Sequence, residues 1–141
     1  MVDTVLKKED LQSFLKFCSR EHQGKTQLLV TPFVEDEKPL VVKVDGNRNE
    51  KQSEIVQIGG TFEAGDVVTS GMYCFSPLVF DLFKGQSKDQ ENQDLKNMNK
   101  MRNFLNFLLQ NGFKMSSFRV EKTIDIDHPE DIKTAENFLK Y

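Results

Sequence analysis

The chain has 141 residues, of which 38% are hydrophobic and 29% are charged, and its formal net charge is −3. This length supports one domain, residues 1–141, with one hydrophobic core. Because the basic residues are scattered and the net charge is negative, we expect no nucleic-acid partner. No apolar run is long enough for a membrane span, and the first residues do not have the pattern of a secretory signal. We therefore expect a soluble, cytoplasmic protein.

The N-terminal part of the chain predicts a strand, a helix and a second strand. Residues 2–5 are typical of the end of a strand, with a carboxylate, Asp3, between hydrophobic residues. Residues 8–22 predict an amphipathic helix packed on the core. Its apolar residues at helical spacing are Leu11, Phe14, Leu15 and Cys18. Residues 28–34 predict a strand, which Pro32 marks as an edge strand or as interrupted by a bulge.

The middle of the chain predicts a β-hairpin followed by a long strand. Residues 40–44 and 55–58 are the expected strands of the hairpin, joined by a polar loop. The long strand covers residues 67–77 and contains Gly71, which predicts a bulge or a close approach by another segment or by a ligand. Two cysteines, Cys18 and Cys74, lie among hydrophobic residues and are expected to be free thiols.

The C-terminal part predicts helices and strands in alternation. A short helix follows Pro77, a polar loop covers residues 85–93, and the longest helix begins near Leu95 and ends at Gly112. Strands are expected at residues 113–120 and 122–127. The closing helix begins near Pro129, and the hydrophobic residues it should bury are Ile132, Ala135 and Leu139. This order predicts an α/β domain with a mixed sheet.

The strand before the closing helix ends in carboxylates. Asp125 and Asp127 lie on the same side of a strand because side chains alternate. One interpretation is structural, with Asp127 capping the helix and Asp125 simply solvated. The other is a divalent-metal site, since Mg²⁺ prefers carboxylate oxygens. The local sequence leaves both interpretations open.

Four stretches of the chain resemble the sugar-phosphate nucleotidyltransferases, the NDP-sugar pyrophosphorylase type. They are Val2-Asp3-Thr4-Val5 with the acidic helix after it, Thr69-Ser70-Gly71-Met72-Tyr73-Cys74-Phe75-Ser76-Pro77, the helix from Met101 to Gly112, and Lys122 to Ala135. They occur in the family's order and cover nearly all of the chain. They match only the later, C-terminal portion of the family's fold.

The resemblance implies a Rossmann-like α/β/α sandwich with a mixed sheet and one shared Mg²⁺. Asp3 would be the first metal ligand, and Asp127 would be the second in preference to Asp125. Lys122 would supply a catalytic cation, although a solvated lysine at a strand edge is the alternative. The segment containing Thr69 and Gly71 resembles the strand that binds the sugar. The implied reaction is attack by a sugar 1-phosphate on the α-phosphate of a nucleoside triphosphate, with release of pyrophosphate.

The chain departs from the family in one respect that affects activity. The family binds the triphosphate with a glycine-rich loop carrying a basic residue, and no stretch here resembles that loop. We therefore expect this isolated chain, as a truncated form, to be inactive, with the sugar 1-phosphate and the triphosphate as partners only where the missing half is present. The alternative is a degenerate, non-catalytic domain that binds or self-assembles. Uncovered strand edges and apolar helix faces predict a homo-oligomer.

Overall fold

The structure is a computed structural model, and it describes residues 3–20, 25–34, 38–46, 49–83 and 98–140. Strands and helices alternate along the described residues. The strands are β1 (Thr4–Val5), β2 (Thr26–Thr31), β3 (Val41–Val44), β4 (Gln52–Ile58), β5 (Val67–Cys74), β6 (Met115–Arg119) and β7 (Ile124–Asp125). The helices are α1 (Lys8–Arg20), a 3₁₀ helix (Pro77–Phe83), α2 (Met101–Gln110) and α3 (Pro129–Lys140).

Five of these strands form a mixed sheet that closes on itself. Their order is β2-β5-β3-β4-β6, and β6 returns to pair with β2. The β2–β6 pair is parallel, and the other pairs in this ring are antiparallel. The predicted mixed sheet and the hairpin β3–β4 are therefore confirmed. The Rossmann-like arrangement stays an expectation, because one parallel pair among the described strands does not define that topology.

Strand β2 has a paired neighbour on each side, which corrects one of the two interpretations made from Pro32. All six residues of β2 are buried, and the strand pairs with β5 on one side and with β6 on the other. It ends at Thr31, directly before the proline. Pro32 therefore removes no hydrogen bond from the ladder, and the interpretation of this segment as an edge strand is wrong.

The two faces of β2 contribute to two separate hydrophobic clusters. Leu28 and Val30 pack with Leu105 and Leu108 of α2 on one face. Leu29 points to the other face, because side chains alternate along a strand. The cluster on that face consists of Phe14, Phe17, Cys18, Leu29, Phe118 and Val120. Helices α1 and α2 thus pack against opposite faces of β2.

Helix α2 is terminated by Gly112, the glycine that the sequence predicts for this role; its last helical residue is Gln110. Gly112 has a φ of +78°. Its N–H donates to the carbonyl of Leu109 at 3.1 Å, and the N–H of Phe113 donates to the carbonyl of Leu108 at 3.0 Å. This pair of hydrogen bonds is the Schellman motif, which satisfies the last carbonyls of a helix.

Three hydrophobic residues that were expected in the core are half exposed. The exposed fraction is 54% for Leu15, 49% for Ile132 and 55% for Leu139. Helix α1 contacts the sheet through a narrow stripe of Phe14, Phe17 and Cys18, so that Leu15 lies beside the contact. Helix α3 buries only Ala135 among its residues. The predicted burial of Leu15, Ile132 and Leu139 is therefore wrong.

Some predictions concern residues outside the described ranges. The polar loop at residues 85–93 lies there, and so does Leu95, where the longest helix was expected to begin. The helix α2 of the structure begins at Met101. None of the helices in the described ranges combines the length and the apolar composition needed to cross a bilayer.

Both cysteines are free thiols, as the sequence predicts. Cys18 is buried and Cys74 packs against the same cluster. Burial raises the pKa of the Cys18 thiol to about 12, and a hydrogen bond with Cys74 adds to this effect. Cys18 therefore stays protonated at neutral pH, and a protonated thiol is a poor nucleophile and metal ligand.

Candidate functional site

A cavity of about 350 Å³ lies beyond the carboxyl end of β2, beside β1 and β7. We call it the carboxylate cavity, because Asp3, Asp125 and Asp127 line it. The lining also contains five side chains with hydroxyl groups, those of Thr4, Thr31, Thr69, Tyr73 and Thr123.

The pairing of β1 with β7 brings the beginning and the end of the sequence together. Thr4 lies opposite Asp125, and the N–H of Ile126 donates to the carbonyl of Asp3 at 2.9 Å. Asp127 follows directly after this short ladder. All three aspartates that the sequence singles out therefore lie around one cavity.

Asp125 is held by neighbouring side chains and is not simply solvated. It is partly buried, and its Oδ1 accepts a hydrogen bond from the hydroxyl of Thr4 at 2.8 Å. Tyr73 lies close enough for the Asp125 charge to act on it. Burial raises the pKa of the Tyr73 hydroxyl, a hydrogen bond with Thr69 opposes the rise, and the Asp125 charge adds to it. Tyr73 therefore remains protonated at neutral pH.

The carboxylate of Asp127 does not cap helix α3. The cap is Asp131, whose Oδ2 accepts the backbone N–H groups of His128 at 2.8 Å and of Asp127 at 3.1 Å. This is the arrangement in which a side chain in the first helical turn reaches back to the residues before the helix. The capping interpretation of Asp127 is therefore wrong, and its exposed carboxylate lies at the cavity.

The described residues contain no preformed group of three or more metal-ligating side chains. This holds for His, Cys, Asp and Glu together. Asp3 and Asp127 are exposed, whereas Asp125 is engaged by Thr4. The cavity thus offers a small number of carboxylates and several hydroxyl groups, and not a closed protein cage for an ion.

Gly71 stands at a bulge on the wall of the carboxylate cavity. Leu28 pairs with Tyr73 and Val30 pairs with Thr69, so β5 has three residues where β2 has one. Gly71 has a φ of +74°, and an added Cβ would lie 3.2 Å from Oγ1 of Thr4. Both the bulge and the close approach of another segment, which the sequence predicts for this glycine, are present. Its exposed backbone faces the cavity.

We expect Gly71→Ala to reduce the free energy of unfolding by about 1–2 kcal/mol, because left-handed backbone is costly for a residue with a Cβ. Gly46→Ala is the matched control. Gly46 has a φ of +80°, and no atom of the described residues lies within 4 Å of an added Cβ, so Gly46→Ala measures the backbone cost without such a contact. Urea unfolding of both variants measures the difference. A smaller loss for Gly71→Ala than for Gly46→Ala would contradict a tight contact with Thr4.

Lys122 lies beside the carboxylate cavity and does not belong to its described lining. Its Nζ is 4.2 Å from the centre of the Phe33 ring and 5.9 Å from that of Phe138. The ammonium thus rests on aromatic faces, which attract a cation. Lys122 is therefore not the free strand-edge lysine of the alternative interpretation, and its catalytic role stays a prediction.

Lys38 lines the cavity, and sequence reasoning missed it. It precedes β3, and the N–H of Thr69 on β5 donates to the carbonyl of Leu40 at 3.1 Å. This contact brings the segment of Lys38 beside the strand that carries Thr69 and Gly71. A lysine followed by Pro39 has no sequence feature that marks it as a site residue; only the pairing of β3 with β5 reveals it.

Comparison with solved structures finds the same fold in nucleotidyltransferases. The inositol-1-phosphate CTP transferase from T. maritima matches with a TM-score of 0.63 and 21% identity, over 95% of this chain and 51% of that chain. The UTP-bound UGPase from Acinetobacter baumannii matches with a TM-score of 0.60 and 14% identity, over 92% of this chain and 44% of that chain. The CMP:2-keto-3-deoxy-manno-octonic acid synthetase complexed with CTP matches with a TM-score of 0.60 and 12% identity, over 95% of this chain and 56% of that chain.

This chain spans about half the length of these structures. No protein-family model matches the sequence, and no curated protein matches it. At these identities the likeness establishes the fold alone.

Proposed function

We propose that the chain is a single domain of nucleotidyltransferase type that takes part in transferring a nucleotidyl group from a nucleoside triphosphate to a sugar 1-phosphate. In this reaction a phosphate oxygen of the sugar 1-phosphate attacks the α-phosphorus, and the bond to the leaving pyrophosphate breaks. The observation that carries the proposal is the position of Asp3 and Asp127 on one cavity. One residue lies near the start of the sequence and the other near its end.

The donor set of the carboxylate cavity suits Mg²⁺ that arrives with phosphate groups. Mg²⁺ keeps several positions for water and substrate oxygens, so one or two protein carboxylates are enough to hold it. Asp3 and Asp127 are the residues that would hold it, since Asp125 already accepts the Thr4 hydroxyl. When bound, the ion would supply charge neutralisation to the crowded phosphates.

The sugar would lie against the strand that contains Thr69 and Gly71. Gly71 has no side chain, so a ligand can approach the exposed backbone of β5. The hydroxyl oxygen of Thr69 accepts a hydrogen bond from the Tyr73 hydroxyl at 3.4 Å. The hydroxyl hydrogen of Thr69 can therefore be donated to another acceptor. We propose that this acceptor is a hydroxyl group of the sugar. Tyr73 and Asp125 act as positioning residues because they orient Thr69 and Thr4.

Lys38 would supply the cation for the phosphate of the sugar 1-phosphate. It lines the cavity that Asp3 and Asp127 also line, whereas Lys122 rests on the rings of Phe33 and Phe138. A lysine ammonium binds phosphate as a compact point charge. This assignment gives Lys38 the role that the family resemblance suggested for Lys122.

We expect Lys38→Met to weaken binding of glucose 1-phosphate by at least about tenfold, because a hydrogen bond to a charged group contributes about 1.5–3 kcal/mol. Lys122→Met is the control with the same change of charge beside the cavity, and we expect it to change affinity less than about twofold. Calorimetric titration in the presence of Mg²⁺ measures both. Equal losses in the two variants would show that only the general positive charge matters.

The proposed function is tested by separating binding from turnover. The 141 residues contain no glycine-rich phosphate loop, so this chain would lack most of the stabilisation that the triphosphate needs in the transition state. We expect metal-dependent binding of a sugar 1-phosphate, together with no pyrophosphate release from any nucleoside triphosphate. A panel of sugar 1-phosphates that all fail to bind would overturn the proposed function. Robust pyrophosphate release would overturn only the expected inactivity.

A second candidate is a non-catalytic domain that self-assembles. The observation in its favour is a set of exposed hydrophobic side chains on helices, namely Leu15, Leu78, Phe80, Ile132 and Leu139. The strand edges give less support, because each of the five strands of the ring has two neighbours. On this interpretation light scattering at micromolar concentration detects a dimer or larger oligomer. A monomer would leave the transferase proposal as the better account.

A further inference from the structure

A second cavity, of about 320 Å³, lies where β2 and β6 begin. The carboxylate cavity lies at the other end of β2, so the two cavities are at opposite ends of the sheet. We call the second one the lysine cavity, because Lys25 and Lys114 line it. Its floor includes the buried side chains of Phe17 and Met115. No residue of the proposed transferase site belongs to its described lining.

The register of the parallel strands sets the two lysines side by side. Thr26 pairs with Met115, and the N–H of Thr26 donates to the carbonyl of Lys114 at 3.1 Å. Lys25 and Lys114 directly precede these partners, and neighbouring strands are about 4.8 Å apart. Like charges at neighbouring positions of a sheet repel each other. Glu54 also lines the cavity, yet the ion pairs found among the described residues involve Lys43 and neither of these lysines.

Hydroxyl and amide groups complete the wall of the lysine cavity. Ser116 pairs with Glu54 across β6 and β4, and by alternation its side chain lies on the same face of the sheet as those of Lys25 and Lys114. Ser116 and Gln52 also line the cavity and can donate hydrogen bonds. Two cations, one carboxylate and several neutral donors therefore surround one space, and the positive charges outnumber the negative one.

We propose that the lysine cavity binds the phosphate group of a small phosphorylated molecule. Two ammonium groups with the Ser116 hydroxyl beside them suit a phosphate dianion, which accepts short charge-assisted hydrogen bonds. A bound dianion removes the repulsion between Lys25 and Lys114. The volume is within the range of small-molecule sites, so a small organic group has room beside the phosphate. This inference does not rest on the proposed transferase function.

The experiment is a titration of the whole chain with inorganic phosphate and, separately, with glycerol 3-phosphate, at constant ionic strength set with chloride. Amide chemical shifts report where the ligand binds. We expect saturable shifts at residues 25, 26, 52–54 and 114–116, and weaker binding by at least fivefold in Lys25→Gln and in Lys114→Gln. Lys133→Gln, an exposed lysine of α3, is the matched control and should bind like the natural chain.

Thermal unfolding adds a test that does not depend on ligand. Because the lysines repel each other without an anion, the double variant Lys25→Gln, Lys114→Gln should unfold in phosphate-free buffer at the same temperature as the natural chain or up to about 2 °C higher. Phosphate should raise the midpoint of the natural chain and leave that of the double variant unchanged. Absence of saturable shifts at the lysine cavity, or equal affinity in the natural chain and the variants, would overturn the proposal. Tighter binding of glycerol 3-phosphate than of inorganic phosphate would identify an organic phosphate as the natural class of ligand.

Discussion

Asp127→Asn is expected to weaken Mn²⁺ binding at the carboxylate cavity by about tenfold or more, because an amide oxygen would replace the charged ligand that Asp127 supplies in the proposed site. The free energy of unfolding should change by less than about 0.5 kcal/mol. Asp127 is exposed, and the helix cap is supplied by Asp131. Mn²⁺ binding in the presence of glucose 1-phosphate can be followed by the paramagnetic resonance of the free ion.

Two further substitutions make this result specific. Glu130→Gln is the matched control, since it removes an equal charge from an exposed residue three positions further on that does not line the cavity. It should leave Mn²⁺ affinity unchanged. Asp3→Asn should reproduce the loss seen for Asp127→Asn. If Glu130→Gln weakened binding as much as Asp127→Asn does, the ion would be responding to the general negative charge of this end of the chain.

Phe118→Ala is expected to reduce the free energy of unfolding by about 3–5 kcal/mol, the usual effect of truncating a buried aromatic residue. Phe118 is 4% exposed, and its ring centre lies 5.8 Å from that of Phe14 and 5.2 Å from that of Phe17. The substitution leaves a cavity between α1 and the sheet. Domains of this size have a total stability of about 5–15 kcal/mol, so the loss is a large fraction of it.

The control for this substitution is Phe80→Ala. Phe80 is 62% exposed on the 3₁₀ helix, and we expect its removal to change stability by less than about 0.5 kcal/mol. Chemical denaturation of both variants gives the comparison. A loss below 1 kcal/mol for Phe118→Ala would contradict a packed interface between α1 and β6. It would also weaken the account of the site, because α1 directly follows the segment that carries Asp3.

The elements of the fold could be predicted where the sequence carries a local pattern. Helical spacing identified α1, and Gly112 marked the end of α2 because only a left-handed residue completes that motif at low cost. The width of a buried stripe is not a local property. Leu15 and Ile132 fit the helical spacing, yet each lies outside the contact, because the orientation of each helix on the sheet decides which flank is covered.

Contacts between distant segments could not be predicted from pattern alone. The ring closes because β4 pairs with β6, and neither strand contains a feature that selects the other. The same limit applies to Lys38, which reaches the carboxylate cavity only through the pairing of β3 with β5. The choice of Asp131 over Asp127 as the helix cap has a similar origin. Both are aspartates near the start of α3, and their roles differ only in the folded chain.

The pairing of Asp3 with Asp127 came from the family resemblance and not from spacing. Alternation along the predicted strand of residues 122–127 placed Asp125 and Asp127 together, but it gave no reason to connect them with the first residues of the chain. The structure supplies that reason in the ladder between Thr4 and Asp125. The hydrogen bond from the Thr4 hydroxyl then distinguishes Asp125 from the exposed Asp3 and Asp127.

The most direct test of the account is to locate the cation-binding site with Mn²⁺, whose unpaired electrons broaden the amide resonances of nearby residues. Trace Mn²⁺ should broaden the signals of Asp3, Gly71 and Asp127 together, at lower concentrations than those of other acidic segments such as residues 9 and 10 of α1. Broadening of either Asp3 or Asp127 without the other, or equal broadening at all exposed carboxylates, would contradict a shared site at the carboxylate cavity.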